Sequence, residues 1–328
     1  MLVGRKCSRQ PLRLAKESGL KIYVAGCGGM LGEAVYHVLG AEHDVKCTDI
    51  DLNETWLDFC DFRDFEGYRE SVAAFDPELL IHLGAHTDLE FCEKNPDEAY
   101  RTNTLSVEHA AFIAEARRVP LVYVSTAGIY DGAKASYDDW DQPNPLGAYA
   151  RSKYMGELIV QNRVSRHFVC RAGWMMGGGP RKDKKFIGKL MRQLAAGMKT
   201  LNVVDDKFGS PTYTVDFARN LALLLSTEFY GLYNMVCDGE ASRLEVARHL
   251  LRILSLEEDV EIVEVGSDFF AGEYFAPRPA SERLINYKLR LRGLGVVQDW
   301  HSALADYVRT YYADYVRPFA PRYDPGTA

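Results

Sequence analysis

A tyrosine and a lysine one helical turn apart are the residues of this 328-residue sequence best suited to acid–base chemistry. Tyr149 and Lys153 follow a proline-rich segment, and no proline recurs until Pro180, so we expect a helix to begin at about Ala148. At positions i and i+4, both side chains emerge on one face of that helix. A nearby ammonium group favours the phenolate, so Lys153 should lower the pKa of Tyr149 from its usual value of about 10. The pair predicts a proton donor and acceptor that works near neutral pH, although a surface tyrosine and lysine would share the same spacing.

A glycine-rich turn near the start of the chain predicts a dinucleotide site. Residues 21–25 form an apolar, β-branched run, and the turn that follows carries Gly26, Gly29 and Gly32 before an amphipathic stretch. Strand, glycine turn and helix in this order place a diphosphate at the helix N-terminus, where backbone N–H groups and the helix dipole favour an anion. Asp49 ends a second predicted strand 17 positions after Gly32. This is close to the spacing of about 20 at which an acidic residue binds the adenosine ribose.

The alternation of strands and helices over roughly the first 170 residues predicts a parallel, doubly wound sheet of the Rossmann type. An apolar strand at 79–83 runs into the small-residue turn 84–87, and the next buried strand ends at Thr126. Parallel sheets bind their ligands at the carboxyl ends of the strands. A helix with strong start signals at Asn95 carries Asn103 in its early turns. The fold class that we expect is α/β, with a smaller C-terminal α/β substrate-binding lobe after the sheet.

The composition argues against several functional classes. Lys and Arg number 39 and Asp and Glu number 46, so the net charge is −7, which disfavours a nucleic-acid binder. No apolar run approaches the roughly 20 residues of a transmembrane helix, and residues 1–20 are basic without the apolar core of a secretory signal. The seven cysteines are scattered without a C-x-x-C pair, which is typical of reduced thiols in the cytoplasm. His82 and His86 could hold a metal, but histidines at a strand end near a pocket describe them better, so we expect none.

The regular alternation weakens after Arg171, which indicates that the second half of the chain builds a separate lobe. Ser242 and Glu245 form a capping-box pattern before an amphipathic helix. A last, tyrosine-rich helix near 299–316 could lie in the core or form a subunit contact, which would allow a homodimer. We expect an N-terminal extension at 1–20, a dinucleotide-binding domain at 21–172 that regains 212–236, a substrate lobe at 173–211 and 237–315, and a tail at 316–328.

A basic loop follows the glycines at 177–179. It carries Arg181, Lys182, Lys184 and Lys185. The loop is either a solvated surface feature or a site at which Arg181, Lys182 or Lys185 neutralises a substrate diphosphate.

Together, these motifs resemble the extended short-chain dehydrogenase/reductase superfamily. The superfamily pattern is carried by the glycine turn at 26–32, Asp49, Asp61, Asn103, Ser125-Thr126 and Tyr149-x-x-x-Lys153. Within the superfamily, the sequence is similar to the dTDP-4-dehydrorhamnose reductases in the segments 140–145, 171–174, 206–212, 231–234 and 278–281. The order and spacing of the motifs match from about residue 20 to about residue 310, and the combination is far more specific than any single motif.

The resemblance implies reduction of the 4-keto group of a nucleotide-linked deoxy sugar, as in dTDP-rhamnose biosynthesis. It implies that Thr126 hydrogen-bonds the keto oxygen, that Tyr149 protonates it, and that Lys153 holds the nicotinamide ribose and lowers the pKa of Tyr149. The loop 206–209 would close the substrate pocket. The implied substrate-binding residues are Thr87, Thr126, Trp174, Lys185 and Arg278.

The implied cofactor is NAD(H) or NADP(H). Asp49 should repel the 2′-phosphate of NADP(H), and no arginine follows it closely, so we expect a tilt towards NAD(H). Asp61 and Phe62 would border the adenine. The cofactor-binding residues that we expect are Gly26, Gly29, Met30, Leu31, Gly32, Asp49, Asp61, Phe62, Gly84, Ala85, His86, Asn103, Tyr149 and Lys153.

Two positions after Thr126 depart from relatives in the superfamily. Ala127 and Gly128 argue against a nucleotide-sugar 4,6-dehydratase, which carries Asp-Glu there for acid–base chemistry. Gly128 also replaces a substrate-contacting tyrosine of the reductases, which leaves the sugar open. Two alternatives to a reductase stay in view. One is a nucleotide-sugar epimerase that retains its NAD, and the other is a non-catalytic dinucleotide-binding subunit like the regulatory partner of methionine adenosyltransferase.

Overall fold

The structure is a computed structural model that describes residues 19–326. Most of the predicted N-terminal extension, with Cys7, lies outside these residues, as do the last two residues of the predicted tail. The strands are β1 (Lys21–Ala25), β2 (Asp44–Asp49), β3 (Leu57–Phe59), β4 (Leu79–His82), β5 (Leu121–Thr126), β6 (His167–Ala172), β7 (Trp174–Met176), β8 (Thr200–Val204), β9 (Phe208–Gly209), β10 (Pro211–Tyr213), β11 (Gly231–Asn234), β12 (Ala241–Ser242), β13 (Glu261–Val265) and β14 (Ser281–Glu282).

The helices alternate with the strands in the first half of the chain. They are α1 (Met30–Gly40), α2 (Phe65–Phe75), α3 (Leu89–Lys94), α4 (Pro96–Tyr100), α5 (Ser106–Arg117), α6 (Ala148–Arg163), α7 (Gly179–Lys182), α8 (Phe186–Ala195), α9 (Thr214–Leu225), α10 (Arg243–Ile253), α11 (Tyr287–Arg292), α12 (Trp300–Tyr311) and α13 (Ala313–Val316). A π-helical turn at Arg101–Leu105 joins α4 to α5, and 3-10 turns lie at Ala127–Ile129 and Ser267–Phe270.

Seven strands form one parallel sheet in the order β11-β6-β5-β4-β1-β2-β3. The order reverses beside β1, because the chain builds outward through β2 and β3 and then returns to the other side of β1 with β4. Ligands of such sheets bind at this switch point, outside the carboxyl ends of the strands. Because β1 and β4 are neighbours in the sheet, the turns that follow them lie side by side. The predicted doubly wound sheet of the Rossmann type is confirmed.

Helices cover both faces of this sheet, because successive strand residues point to opposite sides. On one face, Val24 packs in a cluster with residues of α1 and α9 such as Leu221. On the other face, Tyr23 packs with residues of α2 and α5 such as Val107. Strands that are buried on both faces appear in the sequence as continuous apolar runs, which is why they could be predicted.

The strand β11 lies at the edge of the main sheet, hydrogen-bonded to β6. The helix α9 packs in the same core cluster as α1. Residues 214–234 therefore lie against the dinucleotide-binding part of the molecule. The full division of the chain into two domains stays a prediction.

The remaining strands form three small sheets, β7 with β10, β8 with β13, and β12-β9-β14. Their core includes Leu190 of α8, Leu250 of α10 and Tyr307 of α12. Tyr307 and Tyr312 are fully buried, so these tyrosines near the end of the chain belong to the core. The helix expected near 299–316 is observed as α12 and α13.

Within residues 19–326, no helix is both long and apolar enough to cross a bilayer. The same residues contain no group of three or more His, Cys, Asp or Glu side chains that could hold a metal ion. The six cysteines of this part of the chain are buried free thiols.

Candidate active site

The glycine turn after β1 leaves open space at the N-terminus of α1. Gly26 has a φ of 78°, and a Cβ atom there would lie 2.2 Å from Cα of Gly84, so the turns after β1 and β4 approach closely only without side chains. Gly29 precedes α1 in an extended conformation, and a Cβ atom added to it would meet no atom within 4 Å. This space and the first N–H groups of α1 fit a dinucleotide diphosphate. The first turn of α1 contains the expected cofactor residues Met30, Leu31 and Gly32.

Asp49 lies beside the glycine turn, at the end of β2. Its Oδ2 atom accepts a hydrogen bond from the N–H of Gly28 at 2.8 Å, and its Oδ1 atom accepts one from the N–H of Asp51 at 3.0 Å. Two backbone donors therefore hold the carboxylate next to the turn. An acidic side chain in this position can reach the adenosine ribose of a bound dinucleotide.

Asp61 and Phe62, the predicted neighbours of the adenine, have protein partners. Asp61 accepts hydrogen bonds from Arg63 at 2.9 and 2.8 Å, and these lower the pKa of Asp61. The buried ring of Phe62 packs beneath Gly84 and meets the His82 ring edge-on at a centroid distance of 5.0 Å. The Phe62 ring is thus part of the core, and contact of either residue with an adenine stays a prediction.

Asn103 links the segment after β4 to the helix that carries Tyr149 and Lys153. It is buried in the π-helical turn, a wide turn that is frequent at functional sites. Its Oδ1 atom accepts from the N–H of His86 at 2.8 Å, and its Nδ2 atom donates to the carbonyl of His86 at 3.0 Å and to Oγ of Ser152 at 3.1 Å. The amide of Asn103 therefore fixes the segment of Gly84, Ala85 and His86 against α6.

Thr126 and Tyr149 meet at the carboxyl end of β5. Thr126 is the last residue of β5, and Tyr149 lies in the first turn of α6. The Oγ1 atom of Thr126 accepts a hydrogen bond from the N–H of Gly128 at 3.1 Å, and its side chain also interacts with the phenol of Tyr149. Tyr149 as a whole residue is only partly buried.

Lys153 lies one turn further along α6, beneath β5. Its side chain is buried, and Nζ donates to the carbonyl of Val124 at 2.8 Å and lies 4.2 Å from the centroid of the Tyr123 ring. Burial lowers the pKa of Lys153 to about 7, and Glu157 offsets only part of this effect. Glu157 itself accepts hydrogen bonds from Arg171 at 2.9 and 2.7 Å.

The acid–base state of this pair differs from the prediction. Burial raises the pKa of Tyr149 to about 12, and Thr126 lowers it only part of the way back. The prediction that Lys153 lowers the pKa of Tyr149 is wrong for this structure, because burial of the phenol is the largest influence on that pKa and Lys153 is not among the groups that lower it. A phenol with a raised pKa stays protonated near neutral pH, which is the form that a proton donor needs.

The basic loop after β7 contains the short helix α7, and two of its cations are paired with carboxylates. Arg181 donates to the carbonyl of Asn53 and to Glu54, both at 3.1 Å. Lys182 lies 2.9 Å from Glu33 and 3.0 Å from Glu54. These contacts attach the loop to residues beside the glycine turn, so Arg181 and Lys182 are engaged away from a substrate diphosphate.

The predicted substrate residues Thr87, Lys185 and Arg278 also have protein partners. The Nζ atom of Lys185 donates to the carbonyl oxygen and the hydroxyl group of Thr87 at 2.8 and 3.1 Å. Arg278 makes two hydrogen bonds to Glu90, at 2.7 and 2.9 Å. The donors of both cations are therefore largely used within the protein, and contact of either with a substrate stays a prediction.

Trp174, which was predicted to bind the substrate, contacts Gly209, Glu282 and Arg243, and we call this group of residues the substrate side. Its Nε1 atom donates to Oε2 of Glu282 at 2.7 Å, and its ring packs directly against Gly209 of β9, within the predicted closing loop. The sheet β12-β9-β14 places Glu282 in register with Gly209. A Cβ atom on Gly128 would lie 3.3 Å from Oε1 of Glu282 and 3.5 Å from Oγ1 of Thr126. The glycine therefore leaves space beside Thr126 that a carboxylate faces.

Glu282 and Arg243 are charged residues of this side that the sequence did not predict. Arg243 begins α10, directly after Ser242, and the predicted capping box of Ser242 and Glu245 is confirmed. The Arg243 guanidinium lies 3.5 Å from the centroid of the Trp174 ring. The capping motif predicted the start of a helix. It could not predict that Arg243 contacts Trp174, which is distant in the sequence.

The sequence matches the RmlD substrate binding domain family over residues 20–313. A dTDP-4-dehydrorhamnose reductase of Mycobacterium tuberculosis is 33% identical over 234 residues, which cover 70% of this chain and 75% of that protein. This chain belongs to the dTDP-4-dehydrorhamnose reductase family. The resemblance drawn from the motifs is therefore confirmed.

Solved structures of this family share the fold. A dTDP-4-dehydrorhamnose reductase from Clostridium acetobutylicum has a TM-score of 0.79 and 27% identity, with 88% of this chain and 98% of that chain covered. One from Bacillus anthracis, in complex with NADP, has a TM-score of 0.80 and 26% identity over the same shares, 88% and 98%. The fold described above is thus shared with these two reductases.

Proposed function

We propose that the protein reduces the keto group of a nucleotide-linked deoxy sugar with NAD(P)H. The observation that carries this proposal is the meeting of Thr126 and Tyr149 at the carboxyl end of β5, with Lys153 one turn behind. In the parallel sheet, the carboxyl end of β5 lies at the same edge as the glycine turn after β1, which supports the proposal. Family membership supports the same reaction, since the relatives quoted above are reductases.

The residues of this chain supply the proton and its positioning. Reduction of a ketone leaves negative charge on the oxygen, and the hydroxyl of Tyr149 is protonated near neutral pH because burial raises its pKa to about 12. Thr126, which interacts with that hydroxyl, orients the same oxygen. When bound, the dihydronicotinamide ring supplies the hydride. Positioned general acids contribute roughly 10²–10⁴ in rate.

The cofactor would be held chiefly by backbone groups. The N–H groups at the start of α1 suit the diphosphate, Asp49 suits the adenosine ribose, and Lys153 suits the nicotinamide ribose. We propose a preference for NAD(H), because Asp49 and Asp51 together would repel a 2′-phosphate. The NADP complex of the Bacillus anthracis relative makes NADPH the necessary comparison.

Glu282 is a candidate for recognising the sugar. Its Oε2 atom is held by Trp174, whereas its Oε1 atom has no hydrogen-bond partner among residues 19–326 and faces the space above Gly128. A carboxylate oxygen in this position can accept a hydrogen bond from a hydroxyl group close to the carbon being reduced. We propose that Glu282 takes over part of the role of the family tyrosine that Gly128 replaces.

The proposed reaction takes place in the cytoplasm. The buried free thiols of the six described cysteines support a reducing compartment. A homodimer stays a prediction.

The experiment that tests the proposal is a screen of NADH and NADPH oxidation with nucleotide-linked 4-keto-6-deoxy sugars. We expect wild-type protein to oxidise cofactor with at least one sugar and Tyr149→Phe to do so far more slowly. Sugar conversion without net cofactor oxidation would instead indicate an epimerase. Tight cofactor binding without turnover of any sugar would indicate a binding subunit.

A further inference from the structure

Among residues 19–326, no acceptor pairs with the guanidinium group of Arg243. It lies 3.5 Å from the centroid of the Trp174 ring and 4.8 Å from that of Phe186. Within residues 19–326, its side chain has no hydrogen bond and no carboxylate within 4.0 Å. Arg243 is only partly buried, so part of the residue is accessible to a ligand.

The charged groups close to Arg243 include the carboxylate of Glu282 and two further cations, Arg278 and Lys185. Burial lowers the pKa of Arg243 to about 10, Glu282 raises it in part, and Arg278 lowers it further. Arg243 in turn contributes to the lowered pKa of Lys185. Three cations therefore converge here, although a pKa of about 10 still leaves Arg243 charged at neutral pH.

Arg243 is the member of this trio with uncommitted donors. Lys185 donates to Thr87, and Arg278 is bound in two places to Glu90. The carboxylate of Glu282 directs its Oε2 atom to Trp174. A guanidinium presents five N–H donors in a planar fork that matches phosphate oxygens, and stacking on an indole fixes the orientation of that plane.

We propose that Arg243 binds the diphosphate of a nucleotide-linked substrate, with Trp174 holding its guanidinium plane. From the proposed function this inference takes only the nucleotide diphosphate, and it does not require the sugar to be reduced. Trp174 then separates two ends of the substrate site. The phosphate end is Arg243, and the sugar end is Glu282 beside Thr126.

The test is calorimetric titration of the full-length protein with thymidine diphosphate, uridine diphosphate and the two parent nucleosides. The variants are Arg243→Met, which keeps an apolar side chain of similar length against Trp174, and Arg248→Met as the matched control. Arg248 lies on the same helix but is exposed and paired with Glu264. NADH or NADPH titration of each variant checks that the fold and the cofactor site are intact.

We expect Arg243→Met to weaken diphosphate binding roughly ten- to hundredfold, the effect of losing charge-assisted hydrogen bonds. Nucleoside binding, cofactor binding and the Arg248→Met variant should change little. The inference is overturned if Arg243→Met binds the diphosphates like wild type, if it loses nucleoside affinity equally, or if wild type binds neither diphosphate. Arg243-dependent diphosphate binding without reduction of any sugar would uphold the inference and reject the proposed function.

Discussion

The cofactor side and the substrate side of the site use charge in different ways. Near the glycine turn, Lys182 is paired with Glu33 and Glu54, and Arg63 is paired with Asp61. The groups suited to bind an anion there are the backbone N–H groups at the start of α1. On the substrate side, the Arg243 guanidinium and one oxygen of Glu282 have no hydrogen-bond partner among residues 19–326.

This difference explains why cofactor binding is easier to predict from the sequence than substrate binding. A site made of backbone groups depends on glycines at fixed spacing, so the sequence pattern alone predicts the kind of cofactor. A site made of side-chain charges changes with single substitutions. We therefore propose that Gly128, Glu282 and Arg243 help to determine the substrate of this chain.

The largest effect should come from Tyr149→Phe, which acts where the two sides meet. Removing the hydroxyl takes away the proton donor while the ring stays, so kcat should fall roughly 10²–10⁴-fold. Cofactor affinity should be nearly unchanged. The measurement is steady-state reduction of the best sugar together with titration of NADH and NADPH. Turnover equal to that of wild type would remove Tyr149 from the mechanism.

A variant of the cofactor side, Gly29→Val, should instead weaken cofactor binding. Gly29→Val fills the open space at the start of α1, and Gly29 has an extended backbone that valine adopts easily, so the protein should fold. Cofactor affinity should fall roughly a hundredfold, about 3 kcal/mol, since the N–H groups lose the phosphates.

Gly40→Val is the matched control for Gly29→Val. Gly40 ends the same helix and also has open space around it, so the variant adds the same bulk away from the site. We expect it to bind cofactor like wild type. Equal affinities for Gly29→Val and Gly40→Val in titrations with NADH and NADPH would show that the diphosphate binds elsewhere.

Glu282→Ala should change sugar recognition alone. We expect kcat/KM for the preferred sugar to fall roughly tenfold, about 1.4 kcal/mol, with cofactor binding unchanged. The loss should be much smaller for an analogue that lacks the hydroxyl next to the reacting carbonyl. Glu240→Ala is the control, because Glu240 is an exposed carboxylate paired with Arg283. A similar loss for sugar and analogue would mean that Glu282 shapes the pocket without reading the hydroxyl.

The smallest effect should be proton uptake when the cofactor binds. The pKa of Lys153 is lowered to about 7, so above that pH the free protein has largely lost the proton. Hydrogen bonds from the ammonium to ribose oxygens favour the charged form and raise the pKa, so binding should take up a fraction of one proton near pH 8 and almost none near pH 5. Calorimetry in buffers of different ionisation enthalpy measures this uptake. Uptake at pH 8 that persists in Lys153→Met would assign it to another group.

The sequence predicted those parts of the site that local pattern determines. The glycine turn, Asp49, Asn103 and the helix of Tyr149 and Lys153 follow from strand, turn and helix signals, and the parallel sheet follows from their alternation. The pKa of Tyr149 was predicted in the wrong direction, because helical spacing gives no measure of burial.

The substrate side could be predicted only in part. Trp174 was named from the family, but its neighbours Gly209, Arg243 and Glu282 come from two distant strands and a helix start. Arg278 was expected to face the substrate, yet Glu90 binds both of its terminal nitrogens. Which cation is left free depends on every carboxylate around it, and that follows from the tertiary structure alone.

The central claim is that this site reduces a sugar ketone with hydride from the cofactor while Tyr149 supplies the proton. The most direct test uses NADH or NADPH labelled with deuterium at nicotinamide C4, in both stereospecific forms, with the best keto sugar of the panel. We predict that one form gives a hydroxy sugar with deuterium on the former carbonyl carbon, one for each cofactor oxidised, and that Tyr149→Phe makes this product far more slowly. Sugar product without deuterium, or formed without net oxidation of the cofactor, would contradict the account.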